Sequence, residues 1–205
     1  LTLAFNKNVH LHVPLGRIEL VQRYVGAGGG RITLSTLGGK RWKRQKEQVE
    51  GAVRDLAGEL LRVQAARAAT PGISYPEDTL WQTEFEAEFP YEETDDQISA
   101  IAAVKHGMMQ PTPMDRLICG DVGFGKTEVA IRAAFKAAES GCQVAVLVPT
   151  TVLAVQHERT FSARFRAYPF RIASLSRFKT PAERKEIIED LEAGKIDVII
   201  GTHRL

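Results

Sequence analysis

The chain has 205 residues, 44% hydrophobic and 25% charged, with a formal net charge of +2. This is ordinary globular composition, too balanced for bulk charge to bind nucleic acid, so any such binding falls to local basic patches. Its two cysteines, Cys119 and Cys142, form no CxxC pair, and no histidines stand at ligand spacing. That excludes a zinc site or a disulfide framework and fits a reducing, cytoplasmic compartment; no apolar run approaches the ~18 residues of a membrane span.

Residues 1–13 alternate, with Leu1, Leu3 and Phe5 before the Asn6-Lys7-Asn8 turn and Val9, Leu11 and Val13 after it. The pattern predicts a β-hairpin with one buried face and leaves His10 and His12 on the solvated side. Gly26-Ala27-Gly28-Gly29-Gly30 breaks the chain and marks a domain boundary. From Arg41 to Ala69 the spacing of Trp42, Val49, Val53, Leu56, Leu60 and Val63 predicts a helix with one apolar face. The basic cluster at its start (Lys40, Arg41, Lys43, Arg44, Lys46) reads either as a solvated face or as a contact for phosphate or an acidic partner. Up to Pro90, acidic residues alternate with Tyr75, Trp81, Phe85 and Phe89, which suggests an ordered connector docked on a neighbour.

Beyond Pro90 helices and strands alternate. Helices are predicted over 94–105, 126–139, 152–165 and 181–193, and strands over 116–119, 143–148, 171–175 and 197–200. This order indicates an α/β fold with a parallel sheet covered on both faces. Cys119, in the apolar run Leu117-Ile118-Cys119, is expected to be a buried, inert thiol.

Gly120, Asp121, Val122, Gly123, Phe124, Gly125, Lys126 and Thr127 match GxxxxGK[ST] in full, between a predicted strand and a predicted helix. Glycines let backbone N–H groups converge on phosphate oxygens, and the helix N-terminus adds free donors. Lys126 brings a full charge to the β- and γ-phosphates, and the Thr127 hydroxyl can ligate Mg²⁺. The loop therefore predicts a nucleoside triphosphate, with Lys126 and Thr127 as its catalytic pair. Two readings of Gln97 stand open: a capping box with Thr94, or an amide that reads the adenine edge. Glu128 likewise either complements the helix N-terminus or belongs to the site.

FPYEETDDQ, MDRLICGDVGFGKTEVA, PTTVLAVQH, SRF and GTHRL together resemble the bacterial transcription-repair coupling factors, superfamily-2 DNA translocases related to RecG. The resemblance spans nearly the whole chain. It implies three regions: 1–26, the C-terminal part of an RNA-polymerase-interacting β domain; 27–88, a linker and connector helix; and 89–205, the first part of a RecA-like motor lobe. It also implies an ATP- and Mg²⁺-dependent double-stranded DNA translocase that displaces stalled RNA polymerase and engages nucleotide excision repair proteins.

By resemblance Phe89 packs on adenine and Gln97 binds it. Thr150 and Thr151 of PTT, with Thr202, His203 and Arg204, lie along the DNA backbone, and Arg177 joins them. Each of these also has a bland reading as a loop group satisfied locally. Gly107 stands where the family usually carries an acidic residue, which puts a local helix-end contact in doubt.

The chain starts within an alternating pattern without an initiator Met, stops directly after an apolar strand, and so reads as part of a larger protein. It ends before a DExx box, so it is expected to bind nucleotide weakly without hydrolysing it. Three alternatives remain: a RecG-like or primosomal helicase with no polymerase contact, a non-catalytic polymerase-docking module in residues 1–70, and a small-molecule P-loop kinase. The hairpin and LGGKRW argue against the first. PTT and GTHRL at successive strand ends argue against the last.

Overall fold

The computed structural model describes residues 1–22, 34 and 36–203. The Gly-rich run at 26–30 and Arg204 lie outside these residues. The chain divides into two compact units, Leu1–Ala66 and Arg67–Leu205.

In the first unit, β1 (Thr2–Ala4) and β2 (His10–His12) pair antiparallel with Leu3 opposite Leu11. Lys7 and Asn8 take φ of 61° and 58° to close the turn. The hairpin is as expected, but its buried face is not. Leu1, Val9 and Leu11 are exposed, and Leu3, Phe5 and Val13 are only half-buried. A two-stranded ribbon cannot cover its own face, and no second layer lies over it among the described residues. Helix α1 (Lys40–Ala69) also forms as expected and has no buried residue. Its stripe from Trp42 to Val63 stays exposed along its length.

In the second unit a parallel sheet runs in the order β3 (Val144–Leu147), β5 (Val198–Gly201), β4 (Ile172–Leu175). The central strand β5 is buried throughout, as a continuous apolar run in a sheet covered on both faces should be. Its residues alternate between two cores. Val198 and Ile200 pack with Phe85, Ile131, Phe135, Phe161 and Phe165. Ile199 packs with Ala173, Leu175 and Ile196. Helices α4 (Lys126–Glu139) and α5 (Thr151–Arg164) supply the first layer, joined by α2 (Leu80–Ala87) through Phe85. Helix α6 (Pro181–Glu192) supplies the second through Ile187 and Leu191. Helix α3 (Asp95–Met108) packs on α4 through Ile101, Val104 and Met108.

The start of α6 carries the expected capping box, Thr180 with Glu183, and Pro181 in its first turn. The connector docks as expected, with Phe85 fully buried.

The segment 116–119 is not a strand. Leu117 is 84% exposed and only Ile118 packs, against the α3–α4 cluster. A strand needs a neighbour to pair its backbone groups, and no described strand flanks this segment. Cys119 is accordingly exposed rather than buried, which corrects the expectation of an inert core thiol.

Between α2, α3 and α4 runs a chain of ion pairs. Asp78 binds Lys105 and, at 2.8 Å, Lys136. Burial pushes the Asp78 carboxyl up, but hydrogen bonds from the two ammoniums outweigh it and hold its pKa below the ordinary aspartate value. A carboxyl whose folded pKa is depressed contributes stability above its unfolded pKa and loses it as pH falls through the folded one. The melting temperature of the chain should therefore drop on acidification below the ordinary aspartate range. Asp78→Asn should flatten that part of the profile while lowering stability at pH 7. An unchanged acid limb in Asp78→Asn would show that this pair does not contribute.

Candidate functional site

The GxxxxGKT loop makes its turn with Gly123 and Gly125 at φ of 89° and 72°. Gly125 is the N-cap of α4 and offers no side-chain cap. The first-turn N–H groups therefore have no side-chain acceptor there, which is the condition for binding an anion. Gly125 is fixed twice over. Its φ is left-handed, and a Cβ would collide with the Gln97 amide nitrogen. Lys126 Nζ donates to the carbonyl oxygens of Gly120 and Asp121, each at 2.6 Å. Val122 and Phe124 stand exposed on the loop, 98% and 63%.

Beside the loop lies a cleft of about 480 Å³ whose walls include Phe89, Gln97, Gly123, Phe124, Gly125, Thr127 and Glu128. The structure thus gathers both halves of the expected site, the phosphate loop and the proposed base-binding pair. Gly120, Asp121, Val122 and Lys126 belong to the same loop but not to the cleft wall.

The capping-box reading of Gln97 holds. Its backbone N–H donates to Thr94 Oγ1 at 3.3 Å, and its Oε1 accepts from the Thr94 backbone N–H at 2.9 Å. Its Nε2 meanwhile donates to the Phe124 carbonyl at 3.1 Å. The capping residue is thereby also a strut of the phosphate loop.

A nucleoside triphosphate fits this arrangement: an open helix N-terminus, an ammonium at the loop and a hydroxyl from Thr127 in the cleft. For Mg²⁺ the loop offers that hydroxyl. No group of three or more His, Cys, Asp or Glu gathers around a metal position among the described residues. Mg²⁺ would then take its remaining ligands from phosphate oxygens and water, as it commonly does.

Behind the cleft sits a charged cluster of which only Glu128 is among the residues singled out from the sequence. Glu128 accepts from Arg132 Nε at 3.0 Å, its i+4 neighbour on α4. It also accepts from Arg164 at 2.9 and 3.2 Å. Arg132 reaches on to Glu93 at 2.5 Å, and that hydrogen bond holds the Glu93 carboxyl below its ordinary pKa. Arg164 also donates to the Phe85 carbonyl at 2.9 Å.

The second set of expected residues meets at the carboxyl edge of the sheet. Leu147, Gly201 and Leu175 stand level across the three strands, so the segments that follow them emerge side by side. They form a cleft of about 560 Å³ lined by Thr150, Thr151, Arg177, Thr202 and His203. Five of the six expected DNA-facing residues therefore share one cleft, and Arg204 falls outside the described residues. Thr150 has the local role, capping α5 by accepting from the Leu153 backbone N–H at 3.3 Å. Thr202 is buried and Arg177 and His203 are exposed. Arg184, on α6, lines the same cleft, and its buried Nε has no hydrogen-bond partner among the described residues. Nothing in its helical context marked it out.

Gly107 has its own reason. A Cβ there would come within 2.6 Å of Met114 Sδ, so a larger residue would have to displace that flexible side chain.

Comparison with known proteins follows the same lines. The DEAD/DEAH box helicase family matches residues 94–205. The transcription-repair-coupling factor of Bacillus subtilis is 50% identical over 205 residues, 100% of this chain and 17% of that protein. Its counterpart from Mycobacterium bovis is 51% identical over 195 residues, 95% of this chain and 16% of the relative. That from Staphylococcus aureus is 47% identical over 203 residues, 99% and 17% respectively. The chain thus spans about a sixth of the length of these relatives. A solved structure of RecG bound to a three-way DNA junction superposes with a TM-score of 0.65 at 37% identity, over 70% of this chain and 20% of that one.

Proposed function

Because the chain belongs to the DEAD/DEAH box helicase family, we propose that it is the nucleotide-binding part of an ATP-driven double-stranded DNA translocase. In the whole protein this motor would displace stalled RNA polymerase and couple transcription to nucleotide excision repair. Half identity to transcription-repair-coupling factors along the whole chain supports the assignment. Residues 1–26 would then be the end of a polymerase-interacting domain, 27–88 a connector, and 89–205 the first part of the motor lobe.

The observation that carries the reading is the pairing of two clefts in one α/β unit. One has an uncapped helix N-terminus and Thr127 on its wall, with Lys126 in the adjoining loop. The other collects hydroxyls and an arginine at the strand ends. Ligands of α/β sheets bind outside the carboxyl ends of the strands. Hydroxyls, backbone N–H groups and arginines there suit phosphate contacts that position a duplex without reading its sequence.

ATP bound with Mg²⁺ would supply the reactive γ-phosphate. In that complex Lys126 and the first-turn N–H groups of α4 hold the phosphates, Thr127 offers its hydroxyl, and Phe89 and Gln97 orient the base. A phosphate loop positions its ligand, whereas turnover needs transition-state groups from elsewhere. The chain by itself is therefore expected to bind nucleotide and not hydrolyse it.

Fluorescence anisotropy with two duplexes of unrelated sequence, across a salt series, tests the DNA side. Affinity should be the same for both duplexes and fall with salt. Arg177→Ala should weaken both equally and lower the salt slope by about 1. Binding that depends on sequence, or that ignores salt, would overturn the reading.

A further inference from the structure

We propose that Arg132 and Arg164, gathered on the Glu128 carboxylate, hold the Phe89 ring in place for the nucleotide base and so act as positioning residues for base recognition. The inference rests on the reading that the cleft takes ATP.

The geometry runs outward from Glu128. Its two oxygens accept from both arginines, so two cations are brought together on one carboxylate. Both guanidinium carbons then lie over the Phe89 ring, Arg132 at 5.3 Å and Arg164 at 5.7 Å from its centroid. Arginines at this range are attracted by the negative face of an aromatic ring, more strongly where water is excluded. Here the side chains of Arg132 and Arg164 are only 5% and 13% exposed.

Phe89 needs such a hold. It lies past the end of α2, outside regular structure, followed by Pro90, so no helix fixes its ring. Beside the arginines it makes a backbone hydrogen bond to Glu86 at 3.1 Å and meets the edge of Tyr91 at 5.5 Å.

Arg164 also lies over the buried Phe85 ring at 4.3 Å, and Arg132 also pairs with Glu86 and Glu93, so it is their shared reach to Phe89 that ties the cluster to the cleft. Buried ion pairs contribute little compared with well-packed apolar residues of similar volume. Yet three charged side chains meet here against the wall of the nucleotide cleft, and Glu128 itself lines it. Both Phe89 and Glu128 face the same space as Gln97, the other base-binding residue. The phosphate loop reaches its ligand through different groups. The arginines should therefore affect binding of the base and leave binding of the phosphates alone.

The test compares ATP with inorganic tripolyphosphate, each with Mg²⁺, by calorimetric titration of the chain. Arg164→Lys and Arg132→Lys keep the charge but lose the planar fork that joins ring and carboxylate. Each should weaken ATP about three- to tenfold and leave tripolyphosphate within about twofold. Phe89→Leu should do the same, and adding Arg164→Lys to it should cost no further affinity, because residues acting as one unit are not additive. Should a lysine variant fail to fold by circular dichroism, Glu128→Gln, with the same shape and no charge, replaces it with the same expectation.

Equal losses for ATP and tripolyphosphate would mean a structural role and overturn the proposal. So would unchanged ATP affinity, or additive losses in the double variant. Lys126→Ala separates the two levels of argument. If it keeps ATP binding, the nucleotide reading itself fails, whatever the arginines do.

Discussion

Lys126→Ala is expected to lower the affinity of the chain for an ATP analogue about a hundredfold. The ammonium is held at the loop by the carbonyls of Gly120 and Asp121, next to the open N-terminus of α4. On a triphosphate it would exchange those neutral acceptors for charged ones. Charge-assisted hydrogen bonds are worth about 1.5–3 kcal/mol each, and losing two at the lower value is about 3 kcal/mol, or two decades in Kd. The fold should not notice, because the side chain binds only its own loop. The check is a titration with a fluorescent ATP analogue and Mg²⁺, alongside a thermal melt. Saturable binding that survives the substitution, with the melt unchanged, would sink the phosphate-loop assignment.

Phe135→Ala is expected to cost about 3–5 kcal/mol of folding stability. The side chain is completely buried. It stacks on Phe85 at 4.0 Å and 17°, and meets Tyr168 at 4.8 Å, Phe170 at 5.4 Å and Phe165 at 5.5 Å. These rings come from α2, α4 and the end of α5 with the loop beyond it, so removing the central one opens a cavity where several elements meet. A domain has only about 5–15 kcal/mol in total, so the variant should unfold at markedly lower denaturant. Val122→Ala, at a side chain 98% exposed, should change stability by no more than about 0.5 kcal/mol. A loss below about 1 kcal/mol at position 135 would contradict the packing described here.

What the sequence made legible was whatever depends on neighbours in the chain. The phosphate loop, the Thr94–Gln97 and Thr180–Glu183 caps and the buried run of β5 all carry their cause within a few residues. Segment 116–119 failed because an apolar run becomes a strand only when another strand lies against it, and that is not a local property. The hairpin showed the same weakness: alternation gave the pairing but could not supply the layer needed to bury a face. Among the site residues, Glu128 and Arg132 stand one helical turn apart and could be read as a pair. Arg164 joins them from 36 positions away, and no spacing rule reaches that far. Arg184 escaped notice because a charged residue in an exposed helix has no distinguishing pattern until the fold puts it in a cleft.

The level alignment of Leu147, Gly201 and Leu175 bears on how such a protein can change over time. Inserting or deleting one residue within β4 or β5 would turn every later side chain of that strand to the opposite face. It would also carry Arg177 or Thr202 out of line with Thr150. Substitutions at the apolar positions of these strands are filtered mainly by volume, and the loops beyond them can lengthen at small cost. Strand length is therefore the quantity least free to drift, and the spacing from each strand to its polar residue should vary less among relatives than the residues in between.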